Sequence, residues 1–426
     1  MKQVMARLAA MAGAVVLTAG LPALAGPAYG AGQPHGVARP ASGLSRLERL
    51  SRGALFPIDL SASAQGELEG VDIRARADGW AVGGQCTRRC QRGSTLIERW
   101  NGRRWSRVPS PDVPRVPIQL LYGVRAVSAR DAWAVGIYLT SREGAVRTLI
   151  EHWNGRRWSR VPSPDPSAGA HGISLVQGVT AVSARDVWAA GVYGYGPAGA
   201  RPLLLHWNGV RWSVAPSPHK SSVSELTSVT AISARDAWAV GDSGQLTTSM
   251  LLMHWNGVRW SLVPGLRVQG ALQSVSAVSA RDAWAAGLTC PDRCDSDNPP
   301  SRALLLHWNG VRWAHAASPE PGTDTDLVGV SARSATDAWA VGDYCRARCA
   351  GPEAGDTVLL LRWNGTRWTQ VAGAGLTPGR ASLGAVSALS ARRAWAVGLS
   401  CSKSCAQSGT VLHPLIVRWN GRRWAS

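Results

Sequence analysis

Three tryptophans recur at fixed positions in seven stretches of the chain, each within short runs of apolar residues broken by polar turns. The first tryptophan opens the phrase Trp-Ala-Val/Ala-Gly, and 17 to 24 residues later comes Trp-Asn-Gly-x-Arg-Trp. The first tryptophans are Trp80, Trp133, Trp188, Trp238, Trp284, Trp339 and Trp395. All 21 tryptophans belong to this pattern, so the chain consists of seven copies of one unit.

Each copy predicts four antiparallel strands. An apolar run with valine nine residues before the first tryptophan predicts the first strand, and a Ser-Ala-Arg-Asp type turn ends it. Trp-Ala-Val-Gly predicts the second strand, and a run such as Leu203–Trp207 predicts the third. Asn-Gly favours a tight hairpin turn into a fourth strand.

Seven such copies without helical periodicity between them predict an all-β fold, a seven-bladed β-propeller with four antiparallel strands per blade. An open solenoid is the alternative architecture for a repeat of this length. The last copy ends close to its fourth strand, so we expect the ring to close without a strand exchanged between the two ends.

Residues 1–25 begin with basic residues, continue with an uncharged stretch and end in Ala-Leu-Ala, which predicts a signal peptide. A membrane anchor is the competing interpretation, but Gly20 and Pro22 interrupt the apolar stretch. Residues 26–62 predict a linker or N-terminal arm, and residues 63–426 the propeller. We therefore expect a secreted, extracellular protein with no membrane span after cleavage.

The chain carries 46 Lys and Arg against 27 Asp and Glu, a formal charge of +19. A basic surface favours an anionic partner. For an exported protein, an anionic envelope polymer is a more natural partner than nucleic acid, which we do not expect. Codon bias combined with solubility is an alternative source of the charge. We expect a monomer.

The phrase Trp-Ala-Val-Gly followed by Trp-Asn-Gly-x-Arg-Trp-Ser-x-Val-Pro-Ser-Pro resembles secreted Trp-rich propeller proteins of high-GC bacteria, grouped with Kelch or galactose-oxidase-like propellers. It also resembles tectonin-like lectin repeats. The resemblance covers residues 63–426 and implies the fold, whereas function has to be argued from a site. No copper ligand or other catalytic residue carries over.

Eight cysteines form four Cys-x-x-x-Cys pairs, each expected in the loop after the second strand. In an exported protein, an even number at repeated spacing predicts disulfides rather than zinc sites. The predicted disulfides are Cys86–Cys90, Cys290–Cys294, Cys345–Cys349 and Cys401–Cys405.

An aspartate stands two residues before the first tryptophan in six copies, and an arginine precedes the last tryptophan in all seven. Because the two turns concerned lie on one rim of a four-stranded blade, we expect a structural ion pair in each of the six blades that have the aspartate. The predicted pairs are Asp78–Arg104, Asp131–Arg157, Asp186–Arg211, Asp236–Arg259, Asp282–Arg312 and Asp337–Arg367, and Arg393 replaces the seventh aspartate. Histidine precedes the middle tryptophan in four copies, but equivalent positions on a ring are too far apart to share a metal ion. We expect neither a metal nor a cofactor.

Some residues break the repeat near the end of the second strand. They are Tyr138, Tyr193, Tyr344, Asp242 and Asp343. Aromatic rings and carboxylates at a propeller mouth are typical of a ligand site, and solvent-exposed loop residues are the alternative. We expect a non-catalytic binding or scaffold module for extracellular glycan, envelope polymer or protein. The alternative is a carbohydrate-active enzyme, a glycoside hydrolase or lyase, but no motif brings two carboxylates together.

Overall fold

The structure, a computed structural model, describes residues 65–425 with internal gaps. The gaps are residues 88–91, 142–143, 168, 170–171, 195–198, 245–248, 265, 267, 291–300, 346–356, 374–375, 404 and 406–409. The predicted signal peptide (1–25) and linker (26–62) lie outside the described residues.

Seven four-stranded antiparallel sheets form the blades, each built from four consecutive strands. Blades one to three comprise β1 (Gln65–Ala75), β2 (Asp78–Thr87), β3 (Arg92–Trp100), β4 (Trp105–Arg107), β5 (Ile118–Ser128), β6 (Asp131–Leu139), β7 (Val146–Trp153), β8 (Trp158–Arg160), β9 (Ser174–Ser183), β10 (Asp186–Tyr193), β11 (Arg201–Trp207) and β12 (Trp212–Ala215). Blades four and five comprise β13 (Ser224–Ser233), β14 (Asp236–Ser243), β15 (Ser249–Trp255), β16 (Trp260–Leu262), β17 (Gly270–Ser279), β18 (Asp282–Thr289), β19 (Arg302–Trp308) and β20 (Trp313–His315). Blades six and seven comprise β21 (Asp324–Ser334), β22 (Asp337–Cys345), β23 (Thr357–Trp363), β24 (Trp368–Gln370), β25 (Ala381–Ser390), β26 (Arg393–Cys401), β27 (Leu412–Trp419) and β28 (Trp424–Ala425). The predicted seven-bladed β-propeller is confirmed.

A glycine recurs three residues after the first tryptophan of every copy because the first and second strands approach closely there. A Cβ atom on Gly83 would lie 2.0 Å from the carbonyl oxygen of Glu67, and the equivalent glycines of the other blades meet a carbonyl oxygen at 1.9–2.0 Å. A register shift lies beside this glycine, between Leu68 and Gly70 in blade one. The glycine is therefore required by backbone approach at a bulge.

Tryptophans wedge the blades together around the ring. Trp238 of blade four is 2% exposed, and its ring centroid lies 4.8 Å from Trp308 and 5.1 Å from Trp313 of blade five. The same contact recurs from blade to blade, and between blades seven and one it joins Trp395 to Trp100 at 5.7 Å. Each large ring removes apolar area from water, so the repeated tryptophans pack together with aliphatic side chains of both blades, such as Leu252 and Leu272, at the contact between neighbouring sheets.

A second set of contacts joins the inner strands. The side chain eight residues before the first tryptophan accepts a hydrogen bond from a backbone N–H of the next blade, as in Ala231 N to Thr180 Oγ1 at 3.1 Å. Ile73 N donates to Ser387 Oγ at 2.9 Å across the junction between the first and last blades. Among the strands that the structure describes, the ring is thus closed by side-chain and packing contacts, and β1–β4 and β25–β28 each form a sheet of consecutive strands.

Four of the cysteines, Cys86, Cys290, Cys345 and Cys401, lie at or directly after the ends of second strands. Cys401 and Cys405 form a disulfide with a Cα–Cα distance of 5.4 Å. Cys86, Cys290 and Cys345 are also disulfide-bonded. Their predicted partners, Cys90, Cys294 and Cys349, lie outside the described residues. Cys86, Cys345 and Cys401 belong to strands, whereas the sequence predicted loop positions for them.

Among the described residues, which form strands, turns and connections, there is no helix with the length and apolarity needed to cross a bilayer.

Candidate functional site

Two kinds of turn share one rim of the ring, which we call the turn face. It contains the turns between first and second strands and the Asn-Gly turns between third and fourth strands. A Cβ atom on Gly155 would lie 2.9 Å from the Cβ of Arg130, so the two turns of a blade pack directly against each other. The opposite rim, which we call the loop face, carries the loops between second and third strands and the connections between blades.

The Asn-Gly turn has the same construction in every blade. In blade two, the side-chain oxygen of Asn154 accepts hydrogen bonds of 3.0 Å from the backbone N–H groups of Arg156 and Arg157. Gly155 has a φ of 90°, which a side chain would strain. The tip is therefore fixed by backbone contacts, and the side chains of its two arginines extend into solvent.

The middle tryptophan of each blade holds the other turn. Its indole N–H donates to a carbonyl oxygen in the turn between first and second strands, as in Trp255 Nε1 to Ala234 O at 3.0 Å. The equivalent bonds in the other blades have lengths of 2.9–3.3 Å. The turn face is consequently a rigid platform that presents its exposed side chains at fixed positions.

The aspartates two residues before the first tryptophan, which we call the rim aspartates, do not pair with the arginines predicted for them, so that prediction is wrong. Asp131 Oδ1 lies 2.9 Å from His152 Nε2, the histidine before the middle tryptophan, and the same pair recurs at 2.8 Å in the next three blades as Asp186–His206, Asp236–His254 and Asp282–His307. Each of these histidines also lies over the first tryptophan of its blade, with centroids 4.2–4.4 Å apart.

The physical reason is the order of strands in the sheet. The aspartate starts the second strand, the histidine ends the neighbouring third strand, and the predicted arginine lies on the far side of that third strand. In blades one and six, arginines take the place of the histidines. Asp78 pairs with Arg74 at 2.7 Å, and Asp337 pairs with Arg333 at 2.8 Å and Arg362 at 3.5 Å. No ion pair within the described part of the chain joins these aspartates to Arg104, Arg157, Arg211, Arg259, Arg312 or Arg367.

The consequence is a surface of exposed arginines without acidic partners on the turn face. The turn-face arginines are Arg76, Arg103, Arg104, Arg130, Arg156, Arg157, Arg185, Arg211, Arg235, Arg259, Arg281, Arg312, Arg367, Arg392, Arg422 and Arg423. All are exposed, and within the part of the chain that the structure describes none takes part in an ion pair. The turn face is therefore a broad positive surface on a rigid scaffold.

On the loop face, the structure keeps the three predicted tyrosines apart. Tyr138 packs at the contact between blades one and two, Tyr193 between blades two and three, and Tyr344 between blades five and six. Tyr344 is buried, 6% exposed, because β22 extends past it, so it is not the exposed loop residue that the alternative interpretation expected.

The two predicted aspartates lie in different surroundings on the loop face. Asp242 stands directly opposite Glu225 in β14 and β13, and burial together with the neighbouring Glu225 charge raises its pKa well above the usual value. Asp343 accepts a hydrogen bond of 2.9 Å from Ser382 Oγ of blade seven. Asp242 and Glu225 are close enough to share a hydrogen bond, whereas glycosidase carboxyl groups stand about 5–9.5 Å apart. Ligand binding by these aspartates and by the three tyrosines stays a prediction.

One buried carboxyl group had no signal in the repeat pattern. Glu151 in β7 is 0% exposed and lies at the junction of blades one and two, where Ser110 Oγ lies 2.9 and 3.1 Å from its two oxygens. Burial, with a smaller contribution from the nearby Asp112 charge, raises the pKa of Glu151 to about 8, although the Ser110 hydrogen bond and the Arg160 charge act in the opposite direction. Among the other six blades, only blade one has a glutamate at the equivalent position, Glu98. The repeat pattern therefore gave no reason to place Glu151 in contact with a neighbouring blade.

No cluster of three or more histidine, cysteine, aspartate or glutamate side chains within these described ranges is arranged to hold a metal ion.

No family model and no curated protein matches the chain. Among solved structures it is similar to YCF48 from Cyanidioschyzon merolae, with 13% identity, a TM-score of 0.50 and coverage of 85% of this chain and 98% of that chain. It is also similar to an ulvan lyase of a new polysaccharide lyase family bound to -[GlcA(1-4)Rha3S]-, with 9% identity, a TM-score of 0.50 and coverage of 87% and 97%. A fucose-specific lectin from Aleuria aurantia matches with 10% identity, a TM-score of 0.42 and coverage of 73% and 98%. At such identities the likeness shows the β-propeller fold, and the fold does not determine the function.

Proposed function

We propose that this protein is an exported, monomeric and non-catalytic binding module that holds an anionic envelope polymer on its turn face. The observation that carries the proposal is the set of turn-face arginines, which are exposed and have no acidic partner among the described residues. Its extracellular location rests on the predicted signal peptide, and its kinship with Kelch or galactose-oxidase-like propellers rests on the repeat.

The chemistry of the face suits a chain of phosphate or carboxylate groups. A guanidinium group stays charged at all ordinary pH values and donates paired hydrogen bonds that match the oxygens of phosphate and carboxylate. The rim aspartates pair with histidine or arginine side chains of the strands, so none of them forms an ion pair with a turn-face arginine among the described residues. A repeated cation in each of seven blades suits a polymer with a repeated anion better than a small molecule.

The geometry of one carboxyl pair on the loop face supports a role other than glycoside hydrolysis at that pair. The Asp242 and Glu225 carboxyl groups are in hydrogen-bonding contact, which leaves no space between them for a sugar and a water molecule.

Binding to soluble polymers tests the proposal. Poly(glycerol phosphate) and polygalacturonate carry phosphate and carboxylate groups respectively, and neutral dextran is the polymer control. The variant R103Q/R104Q/R156Q/R157Q removes four charges from the tips of blades one and two while keeping the backbone bonds to Asn101 and Asn154. Each charge contributes up to about 0.8 kcal/mol at a separation of about 5 Å in water, so we expect a loss of affinity of about 100-fold at low salt.

A matched variant on the loop face separates a local site from overall charge. R92Q/R302Q/R380Q/K403Q also removes four exposed cations, and these lie at strand ends of the opposite rim. We expect it to change affinity less than threefold and to leave the dependence on salt unchanged, whereas the turn-face variant has a shallower dependence. Equal losses in both variants, or equal binding of dextran by the native protein, would refute the proposal.

A further inference from the structure

Three valines stand fully in solvent at the tips of the turn face. Val210, Val258 and Val311 are 81%, 82% and 81% exposed, and they occupy the variable position of the Asn-Gly turn in blades three, four and five. The same position is arginine in blades one, two and seven, and threonine in blade six. Val182, 36% exposed, adds apolar surface at the turn-face end of β9 in blade three.

These valines contribute nothing to the packing of the propeller. Each is held by its backbone N–H, which donates a 3.0 Å hydrogen bond to the asparagine side chain of the turn, as Val258 N does to Asn256 Oδ1. The side chain itself stays in solvent. Any polar residue would serve the turn equally well, so three exposed valines on consecutive blades point to a surface that covers them.

Exposed arginines surround the three valines and indicate which kind of partner surface would cover them. Each valine is followed by an exposed arginine, and a second exposed arginine lies in the adjacent turn of the same blade, as Arg259 and Arg235 do beside Val258. Equivalent positions in seven similar blades lie in one plane across the ring, so the valine tips and the arginine tips of Arg103, Arg156 and Arg422 face the same way. A flat array of shallow apolar tips among cations matches a flat partner with anionic groups above an apolar layer.

We propose that the turn face docks onto an anionic lipid bilayer, with Val210, Val258 and Val311 entering the interfacial layer and the turn-face arginines binding lipid phosphates. This uses the same face as the proposed function but a different ligand, and it stands whether or not a soluble polymer binds. A bilayer is favoured over a protein partner because small apolar side chains alternate with exposed arginines at equivalent tips of consecutive blades, as an interfacial layer below anionic headgroups requires.

Sedimentation with vesicles tests the inference. The probes are vesicles of phosphatidylcholine alone and of phosphatidylcholine mixed with phosphatidylglycerol. The full-length mature protein should bind only the mixed vesicles. V210S/V258S/V311S should weaken this binding about tenfold or more, since it removes the apolar contribution and keeps every charge. The control V214S/V268S changes two valines that are 45% and 46% exposed and lie away from the turn tips, and it should bind as the native protein does.

The outcomes separate this inference from the proposed function. Binding to the mixed vesicles that V210S/V258S/V311S leaves unchanged would overturn the inference, because charge alone would then explain it. Absence of binding to any vesicle, with intact binding of poly(glycerol phosphate), would overturn it while supporting the proposed function. Vesicle binding that depends on the valines, without binding of any soluble polymer, would support it and refute the proposed function. Near-ultraviolet circular dichroism of each variant should match the native spectrum, which shows that the propeller is intact.

Discussion

Glu151 makes the stability of the propeller depend on pH, and replacing it with glutamine should remove that dependence. The carboxyl group is fully buried between blades one and two, beside Ser110, and its pKa is raised from 4.5 to about 8. Glutamine has nearly the same shape and keeps an oxygen that accepts a hydrogen bond from Ser110. The variant therefore mimics the protonated form without the ability to ionise.

The sign and the size of the change in stability with pH follow from the raised pKa of Glu151. The pKa in the folded protein lies above that of the unfolded chain, so folding binds a proton between pH 4.5 and about 8. The stability associated with Glu151 is complete below pH 4.5 and is lost as the pH rises to about 8. A rise in pKa from 4.5 to about 8 corresponds to about 5 kcal/mol. For a propeller of about 360 residues this is a difference in Tm of roughly 6 °C.

Thermal unfolding of the native protein and of Glu151→Gln between pH 4 and pH 9 measures the effect. The two should unfold at similar temperatures at pH 4, and the variant should become progressively more stable than the native protein up to about pH 8. Glu98→Gln is the matched control, because Glu98 occupies the equivalent position in blade one and is only half-buried beside Arg107. Its profile should differ from the native one much less.

Parallel pH profiles for the native protein and Glu151→Gln would show that Glu151 is equally easy to ionise in the folded and unfolded states. A variant that is less stable than the native protein at every pH would show that the carboxylate forms a favourable interaction that the amide cannot replace. Either result would refute the reasoning from burial.

Two further predictions concern the contacts that make the ring. Trp238→Ala should lower the free energy of unfolding, measured by urea denaturation, by about 3–5 kcal/mol, because the ring is buried against Trp308 and Trp313. Trp238→Phe should lower it clearly less, and equal losses in the two variants would contradict a role of the indole ring in joining the blades. Gly241→Ala should prevent folding or lower the Tm strongly, because the new Cβ atom would lie 2.0 Å from the Glu225 carbonyl oxygen. Gly384→Ala should be tolerated, because the nearest atom to its Cβ would lie 3.6 Å away. Equal Tm values for the two variants would contradict the argument from close backbone approach.

The fold was predictable because the residues that determine it repeat. In each of the seven copies, a valine, a glycine and a tryptophan at fixed offsets mark the first strand, the bulge and the contact between blades. Each copy supports the assignment of the others. The predicted tight turn at Asn-Gly is observed, and it places tryptophans such as Trp153 and Trp158 directly opposite each other. The disulfide Cys401–Cys405 followed from spacing.

The contacts between side chains were less predictable, because they depend on which strand lies between two residues. Asp131 and Arg157 share a rim, but the third strand separates them and supplies His152 instead. The hydrogen bond from Ile73 to Ser387 joins residues from opposite ends of the chain, and a serine in a strand gives no sign of it. Tyr344 belongs to a strand that continues beyond the point where the repeat stops, so its burial was not visible.

The repeat also explains how a face acquires its charge. A residue at a turn tip is presented seven times in one plane, so the arginine before the last tryptophan alone supplies seven cations to the turn face. In blades two to six, the histidine or arginine before the middle tryptophan pairs with the rim aspartate, so that aspartate does not pair with the arginines of the tips. With the common positions fixed by folding, the variable tip residue is where blades differ, arginine in three and valine in three. The blades thus differ in polarity at that one position, and the exposed side chains there take no part in the packing of the ring, so substitutions at the tips test the proposed binding roles without disturbing the fold.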